Sequence, residues 1–151
     1  MEIIDQLLKL LEREKFCFLA TSYEDHPHVS LMNFTYLQEE KLIILSSRAN
    51  TTKVKYIKKN PSVALLLYSL GGEGQPPVSC TLYGTAHVVS PDKDRLFRES
   101  HYGKHRDMGN FIEGENISVI TVRIEHAALS DLDDSVHTWT PGSTVIKNSS
   151  T

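Results

Sequence analysis

The chain has 151 residues, a mass of 17.0 kDa, 40% hydrophobic and 23% charged residues, a net charge of −3 and a pI near 6.1. That is one domain of ordinary globular composition, which excludes a disordered chain, a collagen-like repeat and a disulfide scaffold. It leaves no room for a separate nucleotide-binding domain, and the acidic balance gives no support to nucleic-acid binding.

The first residues, MEIIDQLLKLLERE, place Ile3, Ile4, Leu7, Leu8, Leu10 and Leu11 on one helical stripe, so residues 2–14 are expected to be a helix. The segment is acidic and lacks a basic start, so it is not a signal peptide. FCFLATS (16–22) is expected to be a strand, YEDHP a turn, and residues 28–37 one long strand. QEE then turns the chain into a strand at 41–47. Asn50 or Thr51 caps a short helix that ends before Pro61. SVALLLYS (62–69) is a buried strand, LGGEGQPP a loop, and 78–90 a long strand in which Gly84 marks a bulge. Ser90 and Pro91 open a helix over 91–101. Residues 116–131 form the last long strand. The tail beyond Asp133 holds Trp139, and 144–151 is expected to be frayed.

This order argues for one mainly β domain with peripheral helices, an antiparallel six-stranded sheet closed as a barrel. The longest apolar runs are far too short to span a bilayer. With Cys17 and Cys80 both in strand-like apolar segments, buried free thiols in a reducing cytoplasm are expected. The four Asn-x-Ser/Thr sequons are then coincidental.

SSRANTTK (46–53) is the strongest chemical feature. It ends a strand and opens a helix, where unpaired backbone N–H groups and the helix dipole favour an anion. The hydroxyls of Ser46, Ser47, Thr51 and Thr52 and the cations Arg48 and Lys53 converge there, a set suited to a phosphate. The competing reading is an ordinary capped surface helix. Lys53, Lys55, Lys58 and Lys59 spread around that helix, as on a solvated face. His101 and His105 have an i, i+4 spacing, but no Glu or Cys completes a zinc set. No nucleophile elbow is present, and neither cysteine has a neighbour that would activate it. Asp133 and Asp134 read as a solvated turn.

Three segments, ATSYEDHPHVSLMNFTY, LIILSSRANTTKVKYIKKNPSVALLL and VSCTLYGTAHVV, resemble the pyridoxamine 5′-phosphate oxidase-like family of FMN-binding split barrels. The most specific points are Pro27–His28 entering the second strand, Lys53 seven residues before Asn60–Pro61, and Tyr83–Gly84. HVSLMNFTY resembles a small eukaryotic, fungal-type subgroup. The resemblance implies a homodimer with FMN in each interface cleft and no nucleic-acid or membrane partner. It places His28, Val29, Ser30 and Leu31 along the flavin ring, and Ser46 and Ser47 near the ribityl chain and phosphate. Thr51, Thr52 and Lys53 fall on the family's phosphate group, where the middle residue is usually Arg; Arg48 is the candidate replacement. Ser79 stands where the oxidases carry a flavin-contacting Gln. Trp139 corresponds to a Trp that reaches the partner's flavin, or else covers the barrel end. Asn33 replaces a substrate-binding Lys, and TPGSTVIKNSST after Trp139 lacks the oxidases' Arg-x-His pair. The resemblance thus implies an FMN-dependent oxidoreductase of unassigned substrate. A non-catalytic flavin, deazaflavin or haem binder is the alternative, and a true pyridoxamine phosphate oxidase is less favoured.

Overall fold

The computed structural model describes residues 3–72, 74, 76–131, 135–141 and 147–150. Helix α1 (Ile3–Arg13) leads into β1 (Phe16–Tyr23) and β2 (His26–Asn33). Glu24 and Asp25, at φ 48° and 63°, make the two-residue turn between them. Two successive left-handed residues match the twist of paired antiparallel strands. β3 (Thr35–Leu37), β4 (Leu42–Arg48), α2 (Thr52–Lys59), β5 (Ser62–Ser69) and β6 (Val78–Val88) follow. A 3-10 turn (Pro91–Lys93), α3 (Arg95–Lys104), a second 3-10 stretch (Arg106–Phe111) and β7 (Ile117–Ser130) come next. β8 (Ser135–Trp139) and β9 (Lys147–Ser150) complete the described elements.

The strand order is β2-β1-β5-β6-β7-β4-β3, every pair antiparallel. β2 and β3 are two halves of one strand, parted only at Phe34. Phe34 is fully buried and donates its backbone N–H to the Lys15 carbonyl instead of to a ladder. Counting β2 and β3 together, the first and last strands of that order are one, and the sheet closes on itself as a six-stranded split barrel. The single strand expected over 28–37 is therefore interrupted, because a buried aromatic side chain takes the inward position at the bend.

Two further corrections concern the ends of elements. The helix expected over 91–101 divides into the 3-10 turn and α3, which continues to Lys104. The tail is not frayed at 147–150: β8 pairs β7, and β9 pairs β8. β7 has 14 residues. It pairs β4 over Ile117–Arg123 and β8 over Ala127–Ser130, so the same edge serves two strands. β8 and β9 thus extend the sheet beyond the six barrel strands, giving nine strands among the described residues when β2 and β3 are counted separately. Asp133 and Asp134 lie outside the described residues, as do 144–146 and Thr151 of the expected tail.

The expected bulge is present. The β6–β7 register slips between Tyr83 and Gly84, leaving Glu125 unpaired. A Cβ on Gly84 would stand 2.3 Å from the Arg123 carbonyl oxygen, so only glycine fits this close approach. The interior is filled by inward residues such as Leu19, Leu65, Leu82 and Val122, with Leu7, Leu10 and Leu11 from α1 and Val54 and Ile57 from α2. α1 packs on β3, β5 and β8, and α2 on β1, β2 and β6. Both cysteines are buried and unpaired, and burial pushes each thiol up to about 12. No helix among the described residues is long and apolar enough to cross a membrane.

A candidate anion and cofactor site where β4 meets α2

Alternation along β4 puts Ile43, Leu45 and Ser47 on the barrel-interior face and Ile44 and Ser46 on the other. Ser47 is buried; its hydroxyl donates to the Arg48 carbonyl at 3.1 Å and lies 3.0 Å from the Thr51 hydroxyl. The Thr51 hydroxyl also donates to the Arg48 carbonyl, at 3.0 Å. Thr51 is the N-cap of α2, extended at φ −84° and ψ 159°, yet its side chain accepts no hydrogen bond from the helix. An N-cap hydroxyl ordinarily satisfies one of the first-turn N–H groups. Here it is turned back toward the strand, and that role is left open to an external acceptor.

Two cations flank this helix start. Lys53 is half-buried, and burial lowers its pKa from the ordinary lysine range. Desolvation disfavours its charge, so a nearby anion would be favoured in return. Arg48, the last residue of β4, is exposed. Thr52 is exposed and Ser46 partly buried. The backbone N–H of Ala49 donates to the Asn116 carbonyl at 2.8 Å and anchors the connecting loop to the start of β7.

β2 lies on the same side of the molecule. Val29 and Leu31 face outward, 66% and 61% exposed, and His28 and Ser30 turn the other way. The His28 ring meets Tyr56 of α2 edge-on at 6.4 Å. Three neighbouring atoms, Thr21 Oγ1, His28 Nδ1 and Ser30 Oγ, are buried without a hydrogen-bond partner. Thr21 is paired directly with His28, and Ser30 with Leu19 two residues before Thr21. Buried polar atoms are normally satisfied; these three open ones lie where β1 and β2 pack against the second half of α2, beside Tyr56.

Of the twelve residues singled out from sequence, Thr51, Thr52 and Lys53 form the start of α2, and Ser47, Arg48 and His28 touch that helix; Ser46 and Ser30 are their neighbours on β4 and β2, and Val29 and Leu31 face outward. Ser79 and Trp139 lie away from this helix start. Arg48 pairs Ile117 on β7, whereas Trp139 pairs Ala127 and Ser79 pairs Ser130. Ten residues of strand separate the Arg48 and Trp139 levels, about 33 Å along β7. Trp139 instead packs, partly buried, against the core near α1. Thr21 and Tyr56 escaped the sequence reading. The signal for Thr21 was available: it is in phase with the inward Cys17 and Leu19, a polar residue in an apolar row.

His101 and His105 are both buried, with ring centroids 4.8 Å apart. His101 Nδ1 is 2.7 Å from the Thr35 hydroxyl, and His105 Nε2 is 2.7 Å from the Phe34 carbonyl oxygen. They tie α3 to the bend between β2 and β3. Among the described residues no group of three His, Cys, Asp or Glu is placed to hold a metal.

A sequence profile of the pyridoxamine 5′-phosphate oxidase family matches residues 3–130. A pyridoxamine 5′-phosphate oxidase homolog of Schizosaccharomyces pombe is 32% identical, the alignment covering 86% of each chain. A homolog of Saccharomyces cerevisiae is 26% identical over 83% of this chain and 88% of its own. Among solved structures, an FAD-binding protein of Mesorhizobium loti superposes with a TM-score of 0.71 at 16% identity, covering 85% of this chain and 94% of the other. At that identity the likeness speaks for the fold. With the closed split barrel, the family match over most of its length and the yeast relatives, the chain belongs to the pyridoxamine 5′-phosphate oxidase family.

Proposed function

We propose that this protein is a flavoprotein that binds FMN where β4 meets α2 and acts as an oxidoreductase on a substrate still to be assigned. The observation that carries this reading is the open helix start: the Thr51 hydroxyl turned away from the first turn of α2, beside Lys53 and Arg48. The phosphate would accept from the first-turn N–H groups of α2 and from the Lys53 ammonium. His28 and Ser30 would offer their unpartnered atoms to the polar part of the cofactor. Bound flavin supplies hydride or single-electron transfer; the chain's residues hold it, orient it and set its electrostatic surroundings.

The functional unit is proposed to be a homodimer in the cytoplasm. Supporting this, Phe16, Leu31, Leu66, Tyr68 and Tyr83 are exposed on neighbouring strands of one sheet face, the first two 54% and 61% exposed. An apolar surface of this kind is uncommon on a monomer. A two-fold pairing would also let Ser79, remote from its own chain's anion site, serve the partner's, whereas Trp139 covers the barrel end beside α1. Titration of the purified chain with FMN, followed by flavin absorbance between 350 and 500 nm and by fluorescence quenching, tests the reading. Saturable binding at micromolar concentration is expected, and its absence would overturn it.

A second reading, binding without turnover, is favoured by two departures from the family pattern that the resemblance implies. Asn33 stands at the substrate-lysine position, and TPGSTVIKNSST after Trp139 holds no Arg-x-His. Sustained oxidation of NADPH or NADH with an added acceptor by the loaded protein would eliminate it.

A further inference from the structure

A cavity of about 620 Å³ opens at the α1 end of the barrel, inside the range that accommodates a small organic ligand. Its apolar wall includes Leu7 and Leu8 of α1, Tyr36 of β3, Ile124 of β7 and Trp139 of β8. Lys41, Arg123 and Glu40 also line it. Lys41 immediately precedes Leu42, which is paired with Arg123, so the β4–β7 register brings both cations to one corner. Neither makes an ion pair or side-chain hydrogen bond with a described residue. Two cations against one carboxylate leave this corner with a net charge of +1.

We propose that this cavity is a second binding site, for an amphipathic monocarboxylate: an apolar body against α1 and Trp139, with its carboxylate at Arg123 and Lys41. A neutral apolar molecule would leave the cations unused. A cationic amphiphile would meet like charge at the mouth. A small, fully polar anion would forgo the apolar wall, which holds most of the contact surface. A guanidinium is suited to a carboxylate because it can donate two parallel hydrogen bonds. Arg123 lies six residues along β7 from Ile117, the partner of Arg48, so about 20 Å of strand separates this corner from the open helix start of α2, and the site stands whether or not flavin binds there.

Trp139 is the chain's single tryptophan, so its emission reports this cavity directly. The full chain is titrated with decanoate, 1-decanol and decylamine. A saturable emission change with decanoate is expected, with decanol and decylamine at least about ten-fold weaker, the worth of one charge-assisted contact. Arg123 is exposed, so Arg123→Gln and the double variant Lys41→Gln/Arg123→Gln should fold, as thermal melts would verify. Arg123→Gln should weaken decanoate about ten-fold, leave decanol unchanged and leave the FMN titration unchanged. No saturable response to decanoate, equal affinity for decanoate and decanol, or a double variant that binds decanoate like the parent would each overturn the proposal. Failure of FMN to bind while decanoate binds would remove the flavin reading alone.

Discussion

The two ends of the barrel are incomplete in different ways. At the α2 end the shortage is of hydrogen-bond partners: Thr21, His28 and Ser30 each bury an open polar atom, and the N-cap of α2 leaves the helix unsatisfied. At the α1 end the shortage is of volume, a cavity walled by leucines, Tyr36 and Trp139. An unmet polar group raises the free energy of the empty protein and is relieved only by a matching polar partner. An unfilled apolar cavity forgoes dispersion contacts and is relieved by apolar bulk. The molecule thus offers a polar recess at one end and, at the other, an apolar one with Lys41 and Arg123 at its corner, and ligands should sort between them.

The largest expected effect tests whether the α2 end is complete in one chain. Leu31→Asp puts a charge on the exposed apolar face without touching the core. If that face is the centre of a dimer interface, dimer dissociation should rise on the order of 100-fold, as for an interface hot spot. Analytical ultracentrifugation reads this directly, and FMN affinity should fall with it. Next comes Lys53→Ala, which removes a half-buried cation from the helix start. FMN binding should weaken by about 1.5–3 kcal/mol, roughly ten- to a hundred-fold, with decanoate affinity unchanged. An unchanged FMN dissociation constant would move the phosphate elsewhere.

Much of the α2 end was legible in sequence because its determinants are local. SSRANTTK carries its strand end, cap and cations within eight residues, and the chain has no other way to arrange them. The α1 end was not legible. Its cavity joins Leu7, Tyr36, Ile124 and Trp139, residues far apart in the chain whose meeting depends on which edge of β7 receives β8. Nothing in the polar spacing of SVHTW announces that pairing, and a sequence ending in IKNSST has the composition of a loose tail. The break at Phe34 was hidden for a similar reason. An apolar residue continues the strand pattern, and only the buried position of its ring, with the Lys15 carbonyl waiting, ends the ladder.

Smaller effects concern how α3 is fastened near the α1 end. Lys104 Nζ donates to the carbonyls of Leu11 at 3.3 Å and Glu14 at 2.7 Å, and sits 4.3 Å from the Phe34 ring centroid. It serves the end of α1, where cations are favoured. Lys104→Met keeps the stem and removes the donors, and should cost about 1–2 kcal/mol in denaturant unfolding. His101 gives a pH signature. Burial lowers its pKa to about 3. The unfolded chain takes up a proton near pH 6.5 that the folded chain refuses. This contribution is fully present above pH 6.5 and is lost progressively as pH falls toward 3. From pH 8 to pH 6 it should lower stability by about 1 kcal/mol, and His101→Gln should flatten the slope to what His105, whose pKa burial also lowers, contributes.

The smallest change discriminates best between the two ends. Thr21→Val replaces a buried, unpartnered hydroxyl with a methyl group of nearly the same shape. In the ligand-free protein this removes a desolvation penalty, so stability should stay level or rise, by at most about 1 kcal/mol. If the hydroxyl is one of the atoms that the cofactor satisfies, FMN affinity should fall at the same time. Opposite signs for the two measurements would identify Thr21 as a group kept polar for its ligand. A loss of stability without any change in FMN affinity would show instead that the hydroxyl already serves the fold, and that the polar recess is narrower by one atom than the three open groups suggest.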